Sequence, residues 1–504
     1  MNIGQAKEYI KQSVKLYLKK NAFGEYEIPV VRQRPIFLLG APGIGKTAIM
    51  EQIAQELGIA LVSYSMTHHT RQSALGLPYI EEKMYDGQTV KVSEYTMSEI
   101  IASVYDTMEE SGVKQGILFL DEINCVSETL APSMLQFLQY KVFGKHRVPE
   151  GWVIVTAGNP PQYNKSVREF DIVTMDRLKL LEVEADYETF KAYAQTRKIH
   201  QAIVSYLEIN KADFYRIEMT PNGRSYVTSR GWEDLSVMLR LYEAEGLKVD
   251  ETLIAQYLHH DRIVKEFSAY YDLYQKYKRS YPVMKILNGE ATEEMATRAS
   301  EAGFEERLSI LGMLSDKLFS EVESVMTTSV YLKDLMPYLQ AVKQKSGESV
   351  ADMLALIEVQ ENQLMTQMEQ LMRAGALSDE DRMRNMAMAD FLKDITHDVK
   401  AGGFADGEGA FATIKERFDS QVDKMKTEAM QVKAHMHALF AFVEKAFEDG
   451  NEMLLFVTSL TVSDACSQFI SSFGSEDYEK HNQKLMLTER QHDIVDQIKS
   501  LNLS

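Results

Sequence analysis

The chain reads as an α/β domain, a parallel sheet covered by helices, followed by a helical lid and an all-helical C-terminal region. Three observations predict this. The apolar run Ile36-Phe37-Leu38-Leu39 enters the glycine-rich segment Gly40-Ala41-Pro42-Gly43-Ile44-Gly45-Lys46-Thr47, and the helix-like Ala48 to Ala54 follows. From about residue 36 to 183, short apolar runs alternate with helical stretches, the pattern of a parallel sheet with helices on both faces. Beyond Val183 the periodicity is mainly helical, and from about residue 286 onward only helices are visible.

In chain order, the stretch from Lys7 to Lys20 is amphipathic and lysine-containing. It lacks the apolar core of a signal peptide, and no long apolar run follows later, so we expect a cytoplasmic protein without a membrane segment. Four strands can be named: Ile36 to Leu39, Ala60 to Tyr64, Gly116 to Leu120 and Trp152 to Ala157. Each is a compact apolar run bounded by polar or glycine-containing turn residues. Two segments interrupt this alternation. Leu77 to Val92 predicts a hairpin turning at Asp86-Gly87, and Tyr140 to Val148 a second hairpin turning near Gly144.

Around Val227 to Tyr242 a helical segment carries Thr228-Ser229-Arg230-Gly231-Trp232-Glu233, and Pro282 with Asn288-Gly289 marks the end of the lid. The last region breaks at Lys345 to Glu348 and at Ala401 to Gly409. Within it Leu354, Ile357, Leu364, Met368 and Leu371 follow a three-four spacing that predicts packing within a short helical hairpin. The expected domains are residues 1–183 for the sheet with its two hairpins, 184–285 for the lid and 286–504 for the C-terminal helices.

A chain of 504 residues exceeds what one hydrophobic core serves. Its net charge of −19 argues against a general nucleic-acid or acidic-membrane surface, though a local basic loop can still bind a polyanion. Cys125 and Cys466, the two cysteines, exclude a disulfide framework and a cysteine-rich zinc site. The adjacent pairs His68-His69 and His259-His260 lack the spacing that places two ligands on one helix face.

Chemistry concentrates on the sheet. A strand, a glycine-rich loop and a helix in that order bring backbone N–H groups and the positive end of the helix onto a β-phosphate. Lys46 then reaches the β- and γ-phosphates, and Thr47 a magnesium ion. Ile117 to Leu120 ends in Asp121-Glu122, where Asp121 can hold magnesium and Glu122 can orient and deprotonate an attacking water. Asn159, after the strand from Val153 and before Pro160-Pro161, can position that water against the γ-phosphate. Arg177 and Arg230 are permanently charged, forked side chains suited to a transferring phosphoryl group.

Together these segments resemble the MoxR-type branch of the AAA+ ATPases. The likeness rests on Gly40 to Thr47, Asp121 to Asn124, Val142 to Ile154, Ala157 to Pro161, Asp176-Arg177 and Thr228 to Glu233, and it covers roughly the first 240 residues. The resemblance implies roles. Gly40, Ala41, Pro42, Gly43, Ile44, Gly45, Lys46 and Thr47 form the Walker A loop around ATP, and Asp121 and Glu122 the Walker B pair with Mg2+ at Thr47 and Asp121. Asn159 becomes the sensor 1 residue, Arg230 the sensor 2 arginine, and Arg177 the arginine finger acting on the neighbouring subunit. The two hairpins match the helix-2 and pre-sensor 1 inserts. Leu178 stands where the family usually has an aromatic residue, and Cys125 where many members carry arginine.

Such head-to-tail contacts close into rings, six being the family's usual number. The leading expectation is a Mg-dependent, hexameric ATPase that remodels or activates a protein client, as MoxR-type chaperones do, often with a von Willebrand factor A domain partner. A nucleic-acid-stimulated motor of restriction or defence type is the alternative, suggested by Lys141, Lys145, His146 and Arg147 in one hairpin. A nucleotide-gated scaffold is a third reading, which Glu122 and Asn159 oppose.

Overall fold

The computed structural model describes residues 1–484, apart from 69–71, 73, 75, 164–166, 221–222 and 449. The chain forms two compact units. One comprises Met1–Thr189, Thr228–Arg230 and Gln360–Ala389; the other Phe190–Val227, Gly231–Val359 and Asp390–Ser504. Residues expected in one C-terminal region are thus divided between the two.

The strands of the first unit are β1 (Ile36–Gly40), β2 (Ala60–Ser65), β3 (Pro78–Tyr85), β4 (Gln88–Tyr95), β5 (Gly116–Asp121), β6 (Val142–Phe143), β7 (His146–Arg147), β8 (Trp152–Gly158) and β9 (Lys179–Val183). Five of them form a sheet in the order β2-β5-β8-β1-β9. Every pairing in it is parallel. β8 is buried along its whole length, as a central parallel strand covered on both faces must be, and its one polar side chain, Thr156, donates to Ile36 O at 3.1 Å. The helix Lys46–Leu57 carries the chain from β1 to β2 at the far edge, whereas β9 lies on the other side of β1. The carboxyl ends of β1 and β8 therefore border the crevice in which open α/β sheets hold ligands.

The strand β9 is absent from the four that the sequence shows. Its residues, Lys179-Leu180-Leu181-Glu182-Val183, mix charged and apolar side chains because an edge strand is half exposed. The other edge is covered. Leu61 N donates to Ala374 O at 2.9 Å. Ala374 and Ala376 are buried with the sheet's residues, and Leu371 packs against them. Ala374 and Ala376 occupy a break between the helices Val350–Arg373 and Asp379–Gly402, an interruption that the helical periodicity does not reveal. Covering β2 in this way removes part of an open edge that would otherwise pair with another chain.

Both predicted hairpins form. At the tip of β3–β4, Asp86 (φ 49°) and Gly87 (φ 80°) are both left-handed, which gives the turn that matches strand twist. The second hairpin, β6–β7, rests on the first: Lys145 pairs with Glu94 and donates to the Tyr79 hydroxyl at 3.2 Å. His146 Nε2 lies 3.1 Å from Tyr95 O. Lys141 does not belong to the exposed basic hairpin. It ends the helix Ala131–Tyr140 in a left-handed conformation and is buried, and burial lowers its pKa to about 8.

In the second unit, an antiparallel pair, β10 (Arg216–Thr220) and β11 (Gly223–Val227), interrupts the helices, a feature that helical periodicity hid. Tyr206, Trp232, Phe267 and Tyr270 pack around one another edge to face or tilted. The long helices Phe304–Gln344 and Gly407–Phe447 share a core with Asn451–Val462 and Asp464–Phe473. Among the described residues no single helix is long and apolar enough to cross a membrane, and the last two pass that test only jointly, bent by 87°.

Ala374 is fully buried against the sheet, whereas Ala355 is exposed. Ala374→Asp should therefore cost about 3 kcal/mol or more, the scale of an unpaired buried charge. Ala355→Asp should stay within about 0.5 kcal/mol. Thermal unfolding of the two variants side by side checks this, and equal melting would detach the segment from the sheet.

Candidate active site

The site grows from the end of β1. Gly43 (φ 72°) and Gly45 (φ 93°) take left-handed backbone conformations that a side chain would strain. Gly45 also caps the helix Lys46–Leu57 without any side-chain hydrogen bond, which leaves that helix's first N–H groups for an anion. Gly40 has a different reason. A Cβ there would lie 2.7 Å from Val183 O and 2.8 Å from Ile44 Cδ1, so its smallness lets β9 pack against β1. Ala41 and Ile44 are buried beneath the loop, and Pro42 stiffens it.

Lys46 is buried, and its ammonium donates to Gly40 O (2.8 Å), Ala41 O (2.8 Å) and Asn159 Oδ1 (2.9 Å). Burial lowers its pKa to about 8, the charge of Asp121 opposes that fall, and Arg230 adds to it. Thr47 Oγ1 donates to Asp121 Oδ2 at 3.0 Å, and the other carboxylate oxygen accepts from Glu122 N at 2.8 Å. Thr47 and Asp121 thus meet where an ion bridging to phosphate would sit. Among the described residues no three His, Cys, Asp or Glu side chains converge into a complete metal cage. A Mg2+ here fits the usual arrangement, in which substrate phosphates and water supply most ligands. His69 and the side chain of His68 lie outside the described residues.

Glu122 adopts a left-handed backbone (φ 55°), unusual for a residue with a side chain and of the kind that gathers at functional sites. Its Oε2 accepts from Ser65 Oγ and Thr67 Oγ1, each at 3.0 Å. Ser65 pairs in register with Asp121, so the end of β2 brings a hydroxyl to the acid that follows β5. Neither hydroxyl carries a motif; aligning the two strands is the signal that could have found Ser65.

Asn159 leaves β8 beside Lys46, and Pro160 restricts it to an extended conformation. Arg230 reaches the site from another part of the chain. Thr228 packs on Gly43, and Ser229 Oγ donates to Gly43 O. The charge of Arg230 is felt by Lys46. Arg177 is elsewhere. It precedes β9, whose Lys179 is level with Ile36 at the amino end of β1, so about 13 Å of strand separates it from the phosphate loop. It is exposed, with a guanidinium nitrogen donating to Gln139 Oε1 at 2.8 Å. One chain therefore brings together Lys46, Thr47, Asp121, Glu122, Asn159 and Arg230, but not Arg177.

Residues 36–175 match the family model described as ATPase family associated with various cellular activities (AAA). On this sheet and this loop, the match indicates an AAA ATPase domain that binds and hydrolyses ATP. No curated protein matches the chain.

A pKa near 8 has a consequence for binding. A triphosphate beside Lys46 favours the charged ammonium and raises that pKa. At pH 8, where about half the lysines are neutral, ATP binding should take up as much as half a proton per chain. Apparent affinity should fall as pH rises above 8. Calorimetry at pH 8 in buffers of different ionisation enthalpy checks the uptake; identical heats would place the pKa of Lys46 well away from 8.

Proposed function

We propose that the protein is a ring-forming, MoxR-like ATPase, most simply a hexamer, that uses ATP turnover to remodel or activate a protein client. The observation that carries this reading is the position of Arg177: exposed, at the opposite end of the sheet from its own phosphate loop, and next to Ile172 (87% exposed) and Val173 (59% exposed). Large apolar side chains beside an exposed arginine suit a subunit contact. A neighbour's arginine then completes a site that otherwise draws its groups from one chain.

In that site Lys46 and the loop N–H groups hold the phosphates, and Arg230 adds positive charge near the loop. Thr47 and Asp121 would hold a magnesium ion, which would supply positive charge beside the triphosphate. Asn159 aligns a water with the γ-phosphorus, and Glu122 takes its proton as the new P–O bond forms and the bond to the β-phosphate oxygen breaks, leaving ADP and phosphate. Arg177 from the adjoining subunit balances the charge on the phosphoryl group in transit. The hydroxyls of Ser65 and Thr67 set where the Glu122 carboxylate waits.

The hairpins supply the client surface. Ile80 and Met84 are more than two-thirds exposed and share one face of β3–β4. Lys145 is neutralised by Glu94, and Lys141 is buried. A surface of apolar side chains with paired lysines suits a polypeptide better than a phosphodiester backbone, which rewards unpaired cations. The protein client, with a von Willebrand factor A domain protein as a partner, is therefore preferred over the nucleic-acid motor, and cytoplasm is the proposed location.

Two substitutions test the reading. Glu122→Gln should keep ATP binding and lose turnover by at least about 100-fold, the contribution of a positioned base. Arg177→Ala should be equally slow, but mixing it with Glu122→Gln protein should restore part of the activity, because intact Glu122 then meets intact Arg177 across some contacts. Steady-state ATPase assays of the mixture decide it, and no recovery in a demonstrably mixed assembly would remove Arg177 from the neighbour's site.

A further inference from the structure

The side chain of Asn124 is unaccounted for by the roles above. It is 3% exposed, in the turn Ile123–Cys125 that directly follows Glu122. Its Nδ2 donates to the main-chain oxygen of Asn159 at 2.8 Å, and its own main-chain oxygen accepts from Arg168 N at 2.9 Å. Its Oδ1 is buried without a hydrogen-bond partner. That oxygen lies against Gly158, where a Cβ would come within 2.5 Å of it and within 2.7 Å of Cγ. The end of β8 has thus lost a side chain so that this amide can reach the next peptide. A buried amide whose oxygen has no partner gives back part of the stability that its one side-chain hydrogen bond, to the oxygen of Asn159, supplies.

What the amide does is join two loops. One end of the connection is the turn that carries Glu122; the other is the peptide of Asn159, whose side chain holds Lys46 at 2.9 Å. Pro160 limits the backbone of Asn159 on the far side. With the oxygen of Asn159 also pinned, the side chain leaves β8 in one direction.

We propose that Asn124 is a positioning residue for ATP hydrolysis: it ties the peptide of Asn159 to the turn behind Glu122, so that the water-orienting amide and the base keep a fixed separation. This rests on the assignment of Asn159 and Glu122 above. It predicts a defect in turnover more than in binding, because Lys46 keeps its two bonds to the carbonyls of Gly40 and Ala41 whatever the pose of Asn159.

Asn124→Asp keeps the shape and removes the donor. It should lower kcat at least tenfold while the KM for ATP and the Kd of a fluorescent ATP analogue change less than threefold. As a second route, Asn124→Ala combined with Gly158→Ala replaces the amide by a methyl group in the space it vacates; Gly158→Ala alone should unfold at lower temperature than the pair. The paired protein should fold and show the same loss in kcat. If Asn124 acts through Asn159, the double variant Asn124→Asp/Asn159→Ala should be no slower than Asn159→Ala. Effects that multiply, or normal kcat in both Asn124 variants while Asn159→Ala is slow, would overturn the proposal alone. Unimpaired turnover in Asn159→Ala would instead overturn the underlying assignment.

Discussion

A buried ammonium governs this molecule. Removing a lysine's charge from water costs several kcal/mol unless partners surround it, and Lys46 finds them in two carbonyls of its own loop and the amide of Asn159. The third partner comes from a strand far along the chain. β8 must therefore lie directly beside β1, which requires the chain to cross to the far edge after the loop and return. Gly40 lets β9 close on the other side of β1, and the segment Thr228–Arg230 lies over the loop. The sheet order, the packing glycine and the second arginine all answer to the surroundings of one side chain.

The same arrangement explains why the chemistry lies at one end of the sheet. In a parallel sheet, adjacent strands end together, so Thr47, Asp121, Glu122 and Asn159 converge although they are far apart in sequence. A residue just before a strand is sent to the other end, as Arg177 is. The edge strand β2 has two tasks. At its carboxyl end Ser65 holds Glu122, and near its start Leu61 binds a turn from the C-terminal helices. The ATPase unit is thereby completed by residues of the segment Gln360–Ala389, far along the chain from Thr189, where its first stretch ends.

Much of this was open to reading in the chain itself. The glycine-rich loop, the two carboxylates after Leu120 and the amide before Pro160 are local patterns whose neighbours on either side dictate strand, turn or helix. The hairpin at Asp86-Gly87 is equally local, because its left-handed turn depends on two adjacent residues. The half-exposed β9 was hidden, since an edge strand needs no continuous apolar run. Lys141 misled as part of a basic hairpin, because charge in a sequence carries no record of burial.

Local order along the chain thus determined the α/β class and where the glycine-rich loop, Glu122 and Asn159 stand at strand ends, since each depends on side chains and backbone preferences within a few residues. Three-dimensional packing alone selected the partners of those groups: Ser65 and Thr67 for Glu122, Asn124 for Asn159, Ala374 for β2, and Gln139 for Arg177. Such choices depend on which strands become neighbours and which end of the sheet a loop reaches. Long-range pairing determines both, and no short stretch of residues encodes it.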